Sequence, residues 1–381
     1  MGSTTRVEGL LAVHKPTGIS SAQVIRDVQK EFNPSMLFKA TIEAEQERLR
    51  EARKHMHKAR FRKDRQSKDV KIGHGGTLDP MATGVLILGI GAGTKRLGDF
   101  LKCTKSYDTV LLFGQATDTY DVVGKTVARK QYDHITRAMV EEALDKFRGE
   151  IMQRPPIYSA LRVQGKRLYE YAREGKEVPV EIQERPVTVE KLELIDWYEG
   201  GSHQFHWPRD EAGEEEKEIA AKVLRFGNKA NDGDKTSLKR EREVDDATAA
   251  DEQPPKRTKA TEDADEADQS MERAADTHDG VAKETVESTA SADANASSTE
   301  PEPCPAPACL LRMTVTSGFY VRSLCHDMGE AVGSLGTMAS LVRTRQGEFE
   351  LGKNVFEFDE LAKGEAVWGP RVQELLKPVG D

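Results

Sequence analysis

Apolar positions along the chain fall into short bounded groups whose spacing switches between the strand and helix periods. Near the N-terminus, GLLAVHKPTGISS reads as a short strand followed by a Pro16-Thr17-Gly18 turn, with Ser20 or Ser21 able to cap a helix over 22–32. An apolar run over 85–90 follows a glycine-rich loop, residues 94–101 look helical, and 107–113 alternates as a strand leading into the polar turn TDTYD. Residues 136–148 form an amphipathic helix pattern with Thr136 as N-cap and Gly149 past its end. Pro155-Pro156 interrupts the chain, 168–173 reads as a short helix, 186–197 as a strand, and 214–226 as a brief acidic helix ending at Gly227. Periodicity then stops. Residues 228–307 are rich in Ala, Asp, Glu, Thr and Ser and almost free of aromatics, so they bury too little surface to offset ordering entropy and are expected to be disordered. Order resumes in CLLRMTVTSGFYVRSLCHDMG with a strand over 310–315, a turn at Ser317-Gly318 and a helix from near Val321. No internal repeat is present. These patterns divide the chain into a first structured part (8–227), the acidic insert (228–307) and a second structured part (308–381).

Charge alters this picture in two places. The net charge of −9 comes from one region: between Asn228 and Cys304 there are 21 acids and 10 bases, leaving 44 acids and 46 bases elsewhere. The foldable part is therefore mildly basic, which allows an anionic partner without requiring one. Residues 39–71 are free of glycine and carry 12 Lys/Arg against 6 Asp/Glu, with a thin apolar stripe of Ile42, Leu49, Met56 and Phe61. Two readings fit: a solvated helix inserted in a loop, or a basic arm in which Arg60, Arg62, Lys63, Arg65 and Lys68 track a phosphate backbone.

Cys103, Cys304, Cys309 and Cys325 lack paired zinc-ligand spacing, which fits free thiols in a reducing compartment. No apolar run approaches the ~20 residues of a membrane span, and no signal-peptide core is present. Arg6 stands where a myristoylation motif needs Ser or Thr. A soluble intracellular protein is expected. Lys239-Arg240 and PPKRTK read equally as a nuclear address or as local charge, so nucleus and mitochondrion are the compartments favoured and cytoplasm stays open.

The densest chemistry lies in GHGGTLDPMATGVLILGIGAGTKRL, where Asp79 sits among Gly73, Gly75 and Gly76 and directly before Pro80. A carboxylate in such a loop is either a turn-former or a catalytic group held where a substrate can approach the backbone closely. Elsewhere, Tyr107 at a strand entrance would commonly be packing, His74 a turn histidine and Arg322 a helix-surface arginine.

Taken together and in order, LLAVHKPTGISS, GHGGTLDPMATGVLILGIGAGTK, SYDTVLLFGQATDTYDVVG, SGFYVRSLCHDMG and LVRTRQGEF resemble the motifs of the TruB family of RNA pseudouridine synthases, with supporting similarity through PPIYSALRVQGKRLYEYAREG. The resemblance implies an α+β pseudouridine synthase fold: a mixed, largely antiparallel sheet with flanking helices and an RNA cleft. It makes Asp79 the essential carboxylate, Tyr107 the aromatic stacked on the target base and Arg322 the partner of Asp79. Tyr320 becomes a neighbouring pocket residue, and His74 sits against the displaced nucleotide. Lys15 and Lys95 fall on the RNA-facing side, Asp121 one layer behind the carboxylate, and Leu341 at the apolar pocket wall. The basic insert before Gly73 and the acidic insert before Cys309 depart from the bacterial pattern without interrupting a motif.

Uridine isomerisation breaks a C–N glycosidic bond, turns the base and rejoins it through carbon, so the reaction calls for no cofactor and no metal. It needs one ionised carboxylate near the sugar, acting as nucleophile on C1′ or base on C2′, and a neighbouring guanidinium favours that ionised form. The target base must leave its stack at a cost of a few kcal/mol, of which stacking on Tyr107 returns ~1–3 kcal/mol. The resemblance points to tRNA, at uridine 55 of the T-loop, with messenger RNA open as a further substrate. It also implies a monomer without an obligate protein partner. Two alternatives stand beside this reading. A guide-RNA-dependent synthase subunit would be expected to carry a further RNA-binding domain, for which the 34 residues after Gly347 are short. An RNA-folding chaperone would not need turnover.

Overall fold

In the computed structural model, residues 6–54, 69–174, 179–180, 182–214, 217 and 304–378 are described. The chain divides into one unit of Met1–Glu218 with Thr299–Asp381 and a second of Ile219–Ser298. The second unit, most of the acidic helix expected over 214–226, and Arg60, Arg62, Lys63, Arg65 and Lys68 lie outside the described residues.

Along the first unit the chain forms β1 (Gly9–Lys15), α1 (Ser21–Phe32), α2 (Lys39–Lys54), β2 (Ile72–His74), β3 (Thr83–Ile90), a 3-10 turn (Gly91–Arg96), α3 (Leu97–Lys102) and β4 (Lys105–Phe113). Next come β5 (Gln115–Thr117), β6 (Thr126–Arg129), α4 (Arg137–Leu144), β7 (Gly149–Gln153), β8 (Arg162–Val163), β9 (Lys166–Arg167), α5 (Leu168–Arg173) and β10 (Arg185–Tyr198). β11 (Ala308–Val315), α6 (Val321–Ala331), β12 (Gly336–Gln346), β13 (Phe349–Glu350), β14 (Phe356–Glu357) and α7 (Glu365–Leu375) complete it.

Among the described residues, ten strands share one sheet, in the order β14-β1-β3-β12-β4-β11-β10-β7, with β2 paired to β3 and β13 to β12. Only β1–β14 and β3–β12 run parallel, which gives the mixed, largely antiparallel α+β fold. Strand alternation sorts the side chains to two covered faces. Leu11, Val13, Leu86, Leu88, Leu111, Phe113, Leu311 and Met313 meet Val24, Val28 and Phe32 of α1 and Leu324, Cys325 and Met328 of α6. Their neighbours Leu10, Ala12, Val85 and Ile87 turn the other way and pack with Phe100 and Phe349.

Local signals explain the helix starts. The Ser20 hydroxyl accepts from the Gln23 amide at 3.1 Å, and Thr136 caps α4 by accepting from Met139. The helix expected over 136–148 ends earlier, at Leu144, and tightens into a 3-10 turn over Asp145–Phe147. That expected over 94–101 is the 3-10 turn followed by α3. The described side chains of α2 through Glu51 carry three bases and four acids, with Arg48–Glu45 and Arg50–Glu47 pairs at i,i+3, the pattern of a solvated face.

One boundary needs correction. The disordered insert was expected to run through Pro307, but Cys304 and Ala306 are buried with Val110, Leu112 and Ala308 under the rings of Tyr132, Phe205 and Trp207. Apolar content too sparse to register as a pattern was enough here, because the sheet supplies the partners. At the C-terminal end, Trp368 of α7 packs on Phe32 at 5.0 Å, and Glu365 accepts from the Met36 and Leu37 amides. Among the described residues no helix is long and apolar enough to cross a membrane.

Candidate active site

The loop between β2 and β3 carries Asp79, and most of its backbone carbonyls are bound from elsewhere in the chain. Lys15, at the end of β1, is fully buried and donates to the carbonyls of Pro16 (2.8 Å), Pro80 (3.1 Å) and Ala82 (2.7 Å). The turn after it adds Gly18 N–H to Pro80 O (2.8 Å) and Thr17 Oγ1 to Met81 O (2.8 Å). Ser21 Oγ accepts from the Leu78 amide and donates to its carbonyl. From β12, buried Arg343 donates to Gly76 O (3.0 Å) and Val85 O (2.7 Å), and Gln346 Nε2 donates to Gly75 O (2.5 Å). Gly84, with φ of 104°, lets β3 run against β12 here, since a Cβ would lie 2.3 Å from the Arg343 carbonyl oxygen.

Asp79 projects from this frame with its side chain one-third exposed (33%), while that of Arg322, on α6, is 7% exposed. Arg322 Nε meets Asp79 Oδ2 at 2.8 Å and Nη2 meets Oδ1 at 3.2 Å, a two-point fork. The rest of the guanidinium is also committed: Nη1 donates to Thr119 O (2.9 Å) and Nη2 to Tyr158 O (2.7 Å). Behind it lies Asp121, 3.9 Å from Arg322 Nε and buried. Burial pushes the Asp121 carboxyl up, against the pull of Arg322 and of its bonds from Thr119 Oγ1 and the Val123 amide. The structure thus brings Asp79 and Arg322 into contact, with Asp121 behind them.

Pairing register places Tyr107 in the sheet floor beside this loop: Lys15, Gly84, Arg343, Tyr107 and Met313 are successive partners across five strands. Tyr107 is buried, and Leu341 lies two pairs further on opposite Thr109 in the same apolar cluster as Tyr107. Half-buried Tyr320 immediately precedes α6. Gln153 brackets its backbone, accepting from the amide and donating to the carbonyl, and the Arg185 guanidinium lies 5.7 Å from its ring. His74 ends β2 where the Asp79 loop begins, paired with Leu88.

Lys15 contradicts its expected place, and Lys95 stands away from Asp79. Lys15 does not face outward: its ammonium is sealed among carbonyls, and burial pushes it down to about 8. Lys95 is exposed, but it lies beyond the opposite end of β3 from Asp79 and lines a separate cleft with Arg6, Arg48 and Lys71. Sequence reasoning also missed Arg343, Gln346, Thr17 and Tyr158. Arg343 occupies the same buried face of β12 as Leu341, so a cation in phase with core positions was the available signal.

Beyond Tyr158, the β8–β9 hairpin and α5 carry a cation–aromatic ledge. Lys166 lies over Tyr171 (4.8 Å), and Arg167 and Arg173 lie over Tyr169 (5.6 and 5.1 Å). Among the described residues, His326, Asp327 and Glu330 bring possible metal ligands within 4.8 Å of one another, although the His326 ring is stacked on Tyr120.

A family model described as TruB family pseudouridylate synthase (N terminal domain) matches residues 58–207, and one described as tRNA pseudouridylate synthase B C-terminal domain matches 322–379. The chain is 38% identical over 358 residues to a Schizosaccharomyces pombe protein named tRNA pseudouridine synthase 4, covering 93% of this chain and 82% of that one. It is 32% identical to the Saccharomyces cerevisiae protein of the same name, covering 97% and 85%. With mouse pseudouridylate synthase TRUB1 the identity is 42%, over 50% of each chain. The chain belongs to the TruB family of pseudouridine synthases, enzymes that isomerise uridine within RNA.

Proposed function

We propose that this enzyme converts uridine to pseudouridine in tRNA, at position 55 of the T-loop, with Asp79 as the catalytic carboxylate. The observation that carries the assignment is the fork from buried Arg322 to the part-exposed Asp79 (2.8 and 3.2 Å), on a loop whose carbonyls are bound on every side. A carboxylate so held has one orientation toward a sugar entering from solvent and no slack in its partner. It would act on C1′ as nucleophile or on C2′ as base. Tyr107 would stack on the base turned out of the T-loop, with Leu341 closing the apolar side and Tyr320 and His74 at the edges. Lys166 and Arg173, with Tyr169 and Tyr171, offer phosphate and stacking contacts to the surrounding RNA.

The substrate reading draws on the names of the two fungal relatives, both tRNA pseudouridine synthases aligned over most of their length. The resemblance to stand-alone TruB synthases supports a monomer without an obligate protein partner. Lys239-Arg240 and PPKRTK support a nuclear location, with mitochondrion as the alternative. The test is Asp79→Asn, which keeps the side-chain shape. In a single-turnover assay on tRNA it should abolish pseudouridine at position 55, with RNA affinity nearly unchanged because phosphate contacts dominate binding. Retained turnover would overturn the assignment, and modification mapped elsewhere in tRNA would overturn the position.

A further inference from the structure

Tyr120 has φ of 66°, one of two non-glycine residues with positive φ among those described, in the turn between Thr119 and Asp121. A bulky aromatic side chain rarely adopts the left-handed region, and such outliers persist only where surrounding contacts over-determine them. The contacts here are specific. Tyr120 is buried and its ring lies 4.2 Å from that of His326 at an interplanar angle of 20°, a face-to-face stack. Its backbone carbonyl accepts from the Met338 amide at 3.0 Å, which docks the turn on β12.

His326 lies four residues after Arg322 on α6, so both side chains leave the same helix face. Arg322 takes the carbonyl of Thr119 at 2.9 Å and faces the carboxylate of Asp121 at 3.9 Å. His326 takes the ring of the residue between them. One helix face therefore grips three consecutive residues of the turn, and the guanidinium that meets Asp79 is fixed through the same turn. Burial pushes the His326 imidazole down to about 4, so it stacks as a neutral ring at physiological pH.

We propose that the Tyr120–His326 stack is a positioning device for the reaction: it holds the Thr119–Asp121 turn in its left-handed conformation and thereby aims the Arg322 guanidinium at Asp79. Neither ring is assigned a contact with the RNA. The inference rests on the reading of Asp79 and Arg322 as the reacting pair, and it extends the machinery to two residues that carry no chemistry of their own.

The experiment compares full-length variants on tRNA by single-turnover rate at saturating enzyme, tRNA affinity and melting temperature. Tyr120→Ala and His326→Ala should lower the saturated rate about ten- to a hundredfold, the usual cost of a small misplacement of catalytic groups, with affinity unchanged. Tyr120→Phe and His326→Phe, which keep the two planar faces, should restore turnover toward the parent rate. Should Tyr120→Ala fail to fold, Tyr120→Gly, which accepts the positive φ without strain, and His326→Leu, which keeps apolar volume without a ring, carry the same comparison. Parent-like turnover in the ring-deleting variants overturns the proposal. So does a loss that the Phe variants share, or one that appears in tRNA affinity alone. Asp79→Asn is run beside them: if it stays active, the reading of the reacting pair has failed, whereas an inactive Asp79→Asn beside fully active ring deletions removes only the stack's role.

Discussion

At the scale of single residues, the site is organised by three buried cations, Arg322 on the Asp79 carboxylate and Lys15 and Arg343 on backbone carbonyls of and beside its loop. Arg322 spends its planar fork on Asp79 and its remaining donors on the Thr119 and Tyr158 carbonyls, so orientation and charge come from one group. A lysine has no fork, and its three donors leave one nitrogen, whereas Arg322 makes four bonds from three nitrogens. Arg322→Lys should therefore cost roughly 3 kcal/mol of the interaction, or ~10²-fold in single-turnover rate, with tRNA affinity within a factor of a few. A parent-like rate would mean that charge alone, without the fork, suffices.

Lys15 is the second cation, and the resemblance, which put it on the RNA-facing side, misplaced it. A lysine beside a Pro-Thr-Gly turn looks solvent-facing because the carbonyls that receive it, at Pro80 and Ala82, are more than sixty residues away and have no local signature. The pH response separates the two placements. Its ordinary value is 10.5 and burial holds it at about 8 in the folded protein. Between these values the unfolded chain binds a proton that the folded protein has released, so Lys15's contribution to stability rises with pH across that window and is constant below it. The stability gap between the parent protein and Lys15→Met, measured as urea midpoints, should therefore widen from about pH 7 to about pH 10. A flat or narrowing gap would return Lys15 to the surface.

At the scale of elements, what the sequence revealed depended on whether a periodic pattern ran unbroken. β1, β4, α1 and α6 carry clear alternation, caps or turns, and they stand within a few residues of where those signals put them. β12 was visible only as a family motif. Irregularities between Met338 and Ser340 and between Arg343 and Arg345 shift its phase twice, and its buried face includes a charged residue. α7 gave no signal because Gly369-Pro370 interrupts it, and it exists through the packing of Trp368 on Phe32 and Phe38. The pairing of Asp79 with Arg322 joins residues 243 positions apart and was reached through resemblance, since no spacing rule spans that distance.

The β8–β9 hairpin with α5 is the element whose role is most exposed to test. Lys166 and Arg173 lie over tyrosine faces outside the core, whereas Arg167, over Tyr169, is buried, and the segment leading into it supplies the Tyr158 carbonyl to Arg322. If Lys166 and Arg173 each neutralise a phosphate, Lys166→Glu with Arg173→Glu should weaken tRNA binding and flatten the slope of log K against log salt. The expected change is ~0.7–0.9 for each phosphate no longer neutralised. The melting temperature should move little, because these side chains are partly solvated. An unchanged salt slope would show that the hairpin supports the site without touching RNA.

At the scale of the whole molecule, the acidic insert is explained by where it enters the sheet. β10 and β11 are adjacent antiparallel strands, with Trp197 opposite Cys309 and Tyr198 opposite Ala308, so everything between them is in topological terms the loop of one hairpin. The loop is already closed near its base, where the Gly201 amide donates to the Cys304 carbonyl at 2.8 Å. Closure entropy grows only with the logarithm of loop length, so a hairpin pinned in this way accepts a long polar insertion at small cost. The same geometry sets the limit of a safe cut. Cys304 and Ala306 belong to the sheet's outer cover, and a deletion running through Pro307 would expose Val110 and Leu112. Removing 228–302 and joining the ends with a short Gly/Ser linker should leave melting temperature and turnover on tRNA close to those of the parent. Extending the cut through Pro307 should lower the melting temperature by several degrees, the effect of removing ~1–2 kcal/mol of apolar burial from a chain of this size. A large loss from the shorter deletion would mean that the insert packs on the catalytic unit and that its composition misled. Equal behaviour of the two deletions would mean that Cys304 and Ala306 add nothing measurable to the fold.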